Sequence, residues 1–408
     1  MTELLSPAGN MEKMKAALRY GADAVYLAGT AFGMRAAADN FSIEEIYEAV
    51  RYAHALHKKV YLAVNTIPHW EEFDALEGYL DALRDAGLDA VIVADPGVLS
   101  LVKEHMPHTA IHMSTQAGCV SHADCTFWQK QGASRIVLAR ELSFSDIAEI
   151  RKRISPELEL ETFIHGSMCV SFSSRCMLSE NLIGRDANRG RCAQPCRWNY
   201  NLFEIAEEKR PEMRFPVMET DLGTFIMSSK DMCMIEHIPE LVQSGVVSFK
   251  IEGRMKSAYY AAVTANAYRM ALDAYQKDPS SYVYDPKWLE ELNSVSHREY
   301  CTGYFFQSPH ETANLTANTG YIREKAYLAV AEGYDEASGR ALFRQRNKVV
   351  VGEGAELITP GLPGQAYPIE EMQDIDGNPI ESAPHPNMLF TVRSDRPVKV
   401  GDILRGAN

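Results

Sequence analysis

The chain has 408 residues, a formal net charge of −14 and 46% hydrophobic residues. This length and this apolar content can bury a large core and predict two or three globular domains. The acidic balance excludes a surface that is basic throughout, so any nucleic-acid contact needs a local positive patch. The opening MTELLSPAGN lacks a secretory signal, and no apolar run reaches the roughly 18 residues of a membrane span, which predicts a cytoplasmic protein.

Residues 1–166 alternate short apolar or β-branched runs with helical segments. The predicted strands are Glu3–Ala8, Ala24–Ala28, Val60–Asn65, Ala90–Asp95, Ala110–Thr115, Arg135–Ala139 and Leu158–His165. An eighth strand, Val247–Ile251, follows the predicted helix Met234–Ser244. Because consecutive parallel strands need a covering helix between them, the alternation is typical of a doubly wound sheet or a closed barrel. Eight such units favour an α/β fold of the TIM-like (β/α)8 barrel type.

Three further features of the chain predict local structure. The helix Ser42–Lys58 begins with a capping box of Ser42 and Glu45, and the helices Ser257–Lys277 and Pro286–Val295 follow strand eight. The stretches Trp198–Glu204 and Phe215–Met227 alternate enough to form a small antiparallel sheet. From about Gly320 the chain predicts short strands separated by turns, which are Tyr327–Tyr334, Arg340–Phe343, Ala355–Ile358 and Leu389–Val392.

These elements predict three domains. Residues 1–166 and 230–316 form the (β/α)8 barrel, and residues 167–229 form a cysteine-rich insertion after strand seven, with the small antiparallel sheet inside it. Residues 317–408 form a small C-terminal β-barrel domain. The insertion then lies on the face of the barrel where such folds hold their active sites.

Four cysteines in the insertion are spaced C-x6-C-x15-C-x3-C, at Cys169, Cys176, Cys192 and Cys196. This spacing matches neither the paired C-x2-C of zinc ribbons nor the C-x2-C-x2-C of bacterial ferredoxins. Four thiolates from an irregular loop favour a [4Fe–4S] cluster, because iron–sulfur centres accept widely spaced soft ligands. Zinc is the alternative metal, and disulfides or unrelated buried thiols are the third interpretation.

The insertion also carries a local excess of positive charge. Its arginines, Arg175, Arg185, Arg189, Arg191 and Arg197, face only Glu180 and Asp186, which leaves this window net positive by three. Arginine forms two parallel hydrogen bonds to phosphate or carboxylate, so these residues are candidates for RNA binding. Compensation of a negatively charged cluster and its thiolates is an equally good interpretation.

Polar side chains end or follow most of the predicted barrel strands, where this fold places ligands. Candidate catalytic residues are His165, Glu161, Arg140 and Glu252. Candidate substrate-binding residues are Ser6, Asn65, Ser114, Gln116, Lys230, Lys250 and Arg254. His165 lies four residues before Cys169, which joins the predicted rim to the predicted metal site.

Several segments resemble a known family. They are ELLSPAGN, GADAVYLAG, ETFIHGSMCVSFSSRCMLS, RGRCAQPC, SSKDM and FKIEGR, in this order through residues 3–254. They resemble the bacterial collagenase-like proteins of peptidase family U32. The resemblance implies a [4Fe–4S] cluster on the four cysteines and, in the branch this chain is most similar to, 5-hydroxyuridine formation at the tRNA wobble position. It also implies chemistry without molecular oxygen, with prephenate as a metabolite co-substrate.

The first hypothesis is therefore an iron–sulfur RNA-modifying enzyme whose partners are tRNA and a small anionic metabolite. In this hypothesis His165 and Glu161 tune the cluster or exchange protons with it, and Arg140, Lys250 and Arg254 attract the anion. A peptidase of the U32 type is the alternative. A non-catalytic RNA-binding or assembly module is the third hypothesis.

Overall fold

The computed structural model describes residues 2–34, 39–169, 171–173, 176–198, 206–207, 210–214, 218–220, 223–225, 229–308 and 321–407. The chain divides into two compact units. The first comprises Met1–Met14, Asp23–Lys256 and His297–Tyr321, and the second comprises Lys15–Ala22, Ser257–Ser296 and Ile322–Asn408. No helix within the described ranges combines the length and the apolar content that crossing a membrane requires.

Eight parallel strands close into a ring in the first unit. They are β1 (Glu3–Pro7), β2 (Ala24–Leu27), β3 (Lys59–Val64), β4 (Ala90–Val93), β5 (Ala110–Met113), β6 (Arg135–Val137), β7 (Glu159–Ser167) and the eighth barrel strand, Ser248–Ile251. Neighbours in this order pair with each other, and the eighth strand pairs with both β7 and β1. The predicted TIM-like barrel is confirmed, and each predicted strand shifts by at most two residues at either end.

Helices separate the strands along the chain. In order they are α1 (Met11–Arg19), α2 (Ile43–Ala55), α3 (Phe73–Leu83), α4 (Pro96–His105), α5 (His122–Lys130), α6 (Phe144–Arg153), then Leu178–Ile183 in the insertion and Ile238–Gln243 before the eighth strand. The capping box of α2 is confirmed, since Ser42 Oγ accepts from Glu45 N at 3.2 Å and Glu45 Oε2 accepts from Ser42 N at 2.8 Å. Asp95, predicted as the end of strand four, instead caps α4 by accepting from Gly97 N at 2.8 Å.

One part of the barrel interior is an apolar cluster. Side chains from four strands pack there, namely Leu5, Ala24, Tyr26, Tyr61, Ala90 and Ile92. Since successive side chains of a strand point to opposite faces, the other residues of each strand face the helices that cover the barrel.

Strand β7 is longer than the other barrel strands and continues past the ring. Its last residues pair antiparallel with a short strand, Asp231–Cys233, which pairs in turn with Tyr300–Cys301. The register of β7 against the eighth strand shifts between Lys250 and Ile251, so that Ile251 lies opposite His165. Such a bulge adds an unpaired residue and re-aims the side chains beyond it.

Within the insertion, short helical turns and two hairpins are described. The 3-10 turns are Ala187–Arg189 and Pro195–Arg197, and the hairpins pair Ala206–Glu207 with Arg210–Arg214 and Met218–Thr220 with Gly223–Phe225. The second hairpin falls inside the predicted stretch Phe215–Met227. The predicted strand Trp198–Glu204 lies outside the described residues, apart from Trp198.

The second unit is built around an antiparallel sheet of six strands. In sheet order they are Gln365–Ala366, Ala355–Ile358, Ile403–Gly406, Tyr327–Asp335, Arg340–Gln345 and Leu389–Arg393, and Val349–Val350 pairs separately with Ser382–Ala383. This confirms a C-terminal β-domain. The unit also contains the helices Ala258–Lys277 and Lys287–Asn293. Arg405 pairs with Glu291 at 2.7 Å and with Glu356 at 2.7 Å, so its buried charge is compensated.

Candidate functional site

A cavity of about 520 Å³ lies at the carboxyl ends of the barrel strands. Its wall includes residues that directly follow a strand, such as Asn65 after β3, Ser114 after β5 and Glu252 after the eighth strand. The insertion supplies the remaining wall, and all four of its cysteines line this one cavity. The volume is in the range of small-molecule sites in proteins.

Most of the predicted substrate-binding residues line the cavity. These are Asn65, Ser114, Gln116, Lys250 and Arg254. Two of the predicted residues are not part of the lining. Ser6 is buried on β1, and Lys230 forms an ion pair with Glu299.

An amide and a hydroxyl group are fixed side by side on the cavity wall. Asn65 Nδ2 donates to Ser114 Oγ at 3.1 Å, and the same oxygen accepts from the Gln116 backbone N–H at 3.2 Å. Asn65 Oδ1 is buried and has no hydrogen-bond partner among the described residues. A buried acceptor without a hydrogen bond destabilises the folded protein. This wall therefore suits a ligand that donates a hydrogen bond to Asn65 Oδ1.

Two of the four predicted catalytic residues, Arg140 and Glu252, line the cavity. The Arg140 guanidinium lies 3.9 Å from the centre of the Phe163 ring and donates to Ser167 O at 2.6 Å. Both contacts hold its charge at the cavity wall, because a cation over an aromatic face is attracted by the ring. The other two predicted residues, Glu161 and His165, are buried outside the lining.

Glu161 lies in the barrel interior and compensates two cations. Its Oε1 accepts from Lys250 Nζ at 2.7 Å, and its Oε2 accepts from Arg135 at 3.1 Å. Burial alone would raise the pKa of Glu161, but Lys250 and Arg135 outweigh it and hold that pKa below its ordinary value. Burial lowers the pKa of Lys250, while the Glu161 carboxylate opposes that shift. Glu161 thus fixes the position of Lys250, whose side chain lines the cavity.

The interior charges continue away from the cavity. Arg135 also pairs with Glu3 at 2.6 Å, and Glu3 accepts from Tyr61 OH at 2.6 Å and from Ser248 Oγ at 2.8 Å. The result is a row of alternating charges, Lys250, Glu161, Arg135 and Glu3, whose members come from four different strands. Periodicity predicted the strands, but it did not predict that Glu3 and Arg135 belong to this row.

His165 lies on β7 in a buried polar cluster, outside the cavity lining. Its ring is 5.5 Å from that of Tyr300, which stacks on His297 at 4.3 Å. Nearby, Asp231 pairs with Arg298 at 2.6 Å. The register shift leaves Ile164 of β7 as an extra residue between Phe163 and His165, which explains why His165 does not follow Phe163 onto the cavity wall. Its predicted catalytic role stays a prediction.

We expect His165 to make the protein less stable as the pH falls below about 6.5. Burial is the main cause that lowers the pKa of His165 to about 3; Asp231 opposes the shift, and His297 and Lys256 add to it. The folded protein keeps the imidazole neutral, whereas the unfolded chain binds a proton at an ordinary pKa. Each pH unit between about 6.5 and about 3 should therefore remove roughly 1.4 kcal/mol of stability, and above that range the contribution is constant.

Denaturant unfolding at about pH 7 and about pH 5 measures this effect. The variant His165→Asn should lose less stability between the two pH values than the wild type does. His122→Asn, at an exposed position, is the matched control and should keep the wild-type dependence. Equal pH dependence in His165→Asn and the wild type would contradict the expectation.

The four cysteines of the insertion are more exposed than Cys119, Cys125 and Cys233, which are buried, whereas Cys301 is half-buried. Cys169 is exposed, and Cys176, Cys192 and Cys196 are half-buried. Burial raises the pKa of Cys119 and Cys125 to about 12, which marks these two as protonated core thiols. In the side-chain arrangement described here, no three or more His, Cys, Asp or Glu residues form a metal-binding group. Four thiols on one wall are nonetheless the donor set that soft metal centres prefer.

The arginines of the insertion divide between cavity and surface. Arg185 lines the cavity and donates through Nε to Arg191 O at 2.9 Å. Arg189 pairs with Glu72 at 2.6 Å, and Arg191 is exposed. Arg175 lies outside the described residues, as does the side chain of Arg197. The predicted RNA-binding role of this group stays a prediction.

Several cavity residues were missed by the sequence analysis. Phe172, Ser173 and Trp198 line the cavity. Ser173 Oγ donates to Glu141 Oε2 at 2.8 Å, and its backbone N–H donates to Oε1 at 2.8 Å, which ties the insertion to the loop after β6. The position of Trp198 two residues after Cys196 was the available signal, since a side chain so close to a cavity cysteine is near the same cavity.

Comparison with known proteins identifies the same family along nearly the whole chain. A profile of Peptidase family U32 matches residues 9–315, and a profile of the Peptidase family U32 C-terminal domain matches residues 323–405. A Bacillus subtilis protein named tRNA hydroxylation protein P1 is 38% identical over 403 residues, covering 99% of this chain and 94% of that protein. A Helicobacter pylori protein named tRNA hydroxylation protein P is 43% identical over 363 residues, covering 88% of this chain and 83% of that protein.

A shorter match extends to an enzyme of ribosomal RNA. An Escherichia coli 23S rRNA 5-hydroxycytidine synthase is 38% identical over 272 residues, which is 67% of this chain and 39% of that enzyme. The profile matches cover the barrel, the insertion and the C-terminal sheet together. The chain therefore belongs to peptidase family U32, as its sequence motifs predicted.

Proposed function

We propose that this chain is an RNA-modifying enzyme that takes part in the hydroxylation of tRNA. The observation that carries the proposal is a single cavity that brings four cysteines together with four cationic side chains, Arg140, Arg185, Lys250 and Arg254. The names of the relatives with high coverage support hydroxylation of tRNA as the reaction class. The finer prediction, from the family resemblance, is hydroxylation at C5 of the wobble uridine without molecular oxygen.

A [4Fe–4S] cluster is the cofactor of this proposal, and Cys169, Cys176, Cys192 and Cys196 would hold it. Their shared cavity and their sulfur chemistry support the assignment, and zinc remains the alternative metal. When bound, a cluster of this kind supplies one-electron transfer. Gln194 N–H donates to Cys192 Sγ at 3.3 Å, a contact of the kind that stabilises a thiolate ligand.

The cationic side chains of the cavity give it a preference for an anionic metabolite. Among the lining residues, Arg140, Arg185, Lys250 and Arg254 stand against Glu141 and Glu252, and Glu141 is engaged by Ser173. Guanidinium groups bind carboxylate and phosphate through paired hydrogen bonds, so a small carboxylate such as prephenate suits this wall. Lys250 is held in place by Glu161 and would orient one end of the anion.

The RNA itself would be bound by local positive charge. Exposed Arg191, together with the other arginines of the insertion and the C-terminal β-domain, would contact the phosphate backbone. A local positive patch is needed because the overall net charge of −14 disfavours RNA binding elsewhere on the surface. The proposal places the protein in the cytoplasm, where tRNA is found and where thiols stay reduced.

Deletion of the gene tests the proposed function directly. Mass analysis of the anticodon nucleosides should show the loss of 5-hydroxyuridine and of the nucleosides derived from it. Reintroducing the wild-type gene should restore them. Unchanged nucleosides in the deletion strain would remove the proposal.

Peptide hydrolysis is the second candidate, and the description of the family favours it. Anaerobically purified protein should then cleave gelatin or small peptides, and the variant His165→Ala should lose that activity. The position of His165 outside the cavity lining weighs against such a role. Cleavage by the purified protein together with unchanged tRNA nucleosides would favour the peptidase.

A further inference from the structure

We propose that the cavity receives a uracil base turned out of a single-stranded RNA segment, with Phe172 and Trp198 stacking on the RNA bases and Asn65 reading the uracil edge. This inference rests on the proposed function and names how the substrate is presented. Enzymes that act on a base inside folded RNA have to take that base out of its stack, because the reacting atom is otherwise covered. Three observations support this mode of binding.

The first observation is the exposure of two aromatic side chains on the cavity wall. Phe172 is 44% exposed and Trp198 is 39% exposed, although both line the cavity. The indole of Trp198 is oriented by its Nε1–H, which donates to Ala193 O at 3.1 Å. Aromatic rings that are partly exposed and held in place are the platforms on which single-stranded bases stack.

The second observation is the unpartnered acceptor, Asn65 Oδ1. The hydrogen bond from Asn65 Nδ2 to Ser114 Oγ fixes the amide, and Ser114 is fixed in turn by the Gln116 backbone N–H. Uracil presents an N3–H donor on its pairing edge, whereas cytosine presents an acceptor at that atom. Cytosine can donate only through its N4 amino group, so a buried unpaired acceptor that faces atom N3 of the base favours uracil.

The third observation is the position of Arg185 on the same wall. Its Nε is used by Arg191 O, which leaves the planar Nη groups of the guanidinium to bind a phosphate. Phosphate contacts fix the register of an RNA strand, and base contacts specify the sequence. One cavity therefore combines a phosphate contact, a stacking surface and a base-edge acceptor, which is the set that recognises an unpaired nucleotide.

Binding of labelled oligonucleotides to the purified holoprotein tests the inference. The probes are a short oligouridylate, an oligocytidylate of equal length, and the oligouridylate paired with its complement. The single-stranded oligouridylate should bind most tightly and the duplex most weakly, and oligouridylate should quench the fluorescence of Trp198. Because both aromatic side chains are partly exposed, Phe172→Ala and Trp198→Ala should keep the wild-type melting temperature.

Substitutions of Phe172 and Trp198 distinguish base stacking from apolar packing, and a substitution of Asn65 tests recognition of the uracil edge. Phe172→Ala and Trp198→Ala should each weaken oligouridylate binding about tenfold. Phe172→Tyr should restore binding, whereas Phe172→Leu, which keeps apolar volume without a ring, should not. Asn65→Leu should remove the preference for oligouridylate over oligocytidylate and leave oligocytidylate binding unchanged. Trp70→Ala, at a position 82% exposed and outside the cavity lining, is the matched control and should bind like the wild type.

Two results would overturn the inference. Duplex binding as tight as single-strand binding excludes an extruded base, and wild-type affinity of Phe172→Leu excludes stacking. The outcome is distinguishable from that of the proposed function. If the deletion strain loses its hydroxylated nucleosides but the triple variant Asn65→Leu, Phe172→Ala, Trp198→Ala restores them fully, the base-recognition inference fails while tRNA hydroxylation stands. If the deletion changes no nucleoside while uracil-selective binding depends on these residues, tRNA hydroxylation fails and the base-recognition inference stands.

Discussion

The substitution Cys192→Ser is expected to abolish tRNA hydroxylation and to lower the iron and sulfide content of the anaerobically purified protein well below the wild-type content. A serine hydroxyl is a hard, weakly acidic ligand, and soft iron–sulfur centres bind it poorly. Cys192 shares the cavity with the other three cysteines, so the loss of one thiolate leaves three ligands for a site that needs four. Iron and sulfide analysis with the visible absorption spectrum measures the cluster independently of activity.

Cys125→Ala is the matched control for this prediction. Cys125 is fully buried on α5, and burial raises the pKa of its thiol to about 12, so it remains protonated and is no ligand. This variant should keep the wild-type iron content and activity. Wild-type iron content in Cys192→Ser would remove the cluster assignment, and zinc in place of iron in the wild-type protein would favour the alternative metal.

The substitution Glu161→Ala is expected to lower the free energy of unfolding by about 3–5 kcal/mol. Glu161 is fully buried and compensates both Lys250, at 2.7 Å, and Arg135, at 3.1 Å. Without the carboxylate, Lys250 loses its only ion-pair partner among the described residues, and Arg135 keeps Glu3 and Glu159. An uncompensated buried charge is among the most destabilising changes that a single substitution can make.

Denaturant unfolding at neutral pH measures this change. Glu149→Ala is the matched control, because the ion-pair partners of Glu149 within the described ranges are Lys152 and Arg153, both exposed on α6. Exposed ion pairs contribute little to stability, so this variant should keep a free energy of unfolding close to that of the wild type. A loss below about 1 kcal/mol in Glu161→Ala would show that the interior charges are solvated or rearranged.

Much of the fold could be predicted from the sequence because each barrel strand and its helix carry local signals. The short apolar or β-branched runs, and the capping box at Ser42 and Glu45, depend only on residues close together in the chain. The cysteine spacing and the polar strand ends located the site in the same way. Five of the seven predicted substrate-binding residues line the cavity, since carboxyl ends of parallel strands meet on one face.

The remaining features depend on contacts between distant segments. The strands Asp231–Cys233 and Tyr300–Cys301 have three and two residues, too few to show a period. Asp231–Cys233 pairs with the end of β7, and Tyr300–Cys301 pairs with Asp231–Cys233. These pairings and the extra residue of β7 between Phe163 and His165 decide that His165 lies in a buried polar cluster. Likewise, the row of charges from Lys250 to Glu3 is built from four strands, and no local pattern reveals which of their side chains face the interior.

The barrel closes through the pairing of its first and last strands, and this affects how the chain folds during synthesis. β1 pairs with the eighth strand, and Glu3 pairs with Ser248, which lies 245 residues later in the chain. The ring therefore cannot close until Ser248 has been synthesised. During synthesis the amino-terminal strand therefore leaves the ribosome with one edge unpaired, a state that invites association with other chains. Contacts of such long range also slow folding. Nascent molecules of this protein are accordingly expected to spend time as clients of cellular chaperones before the two ends of the sheet meet.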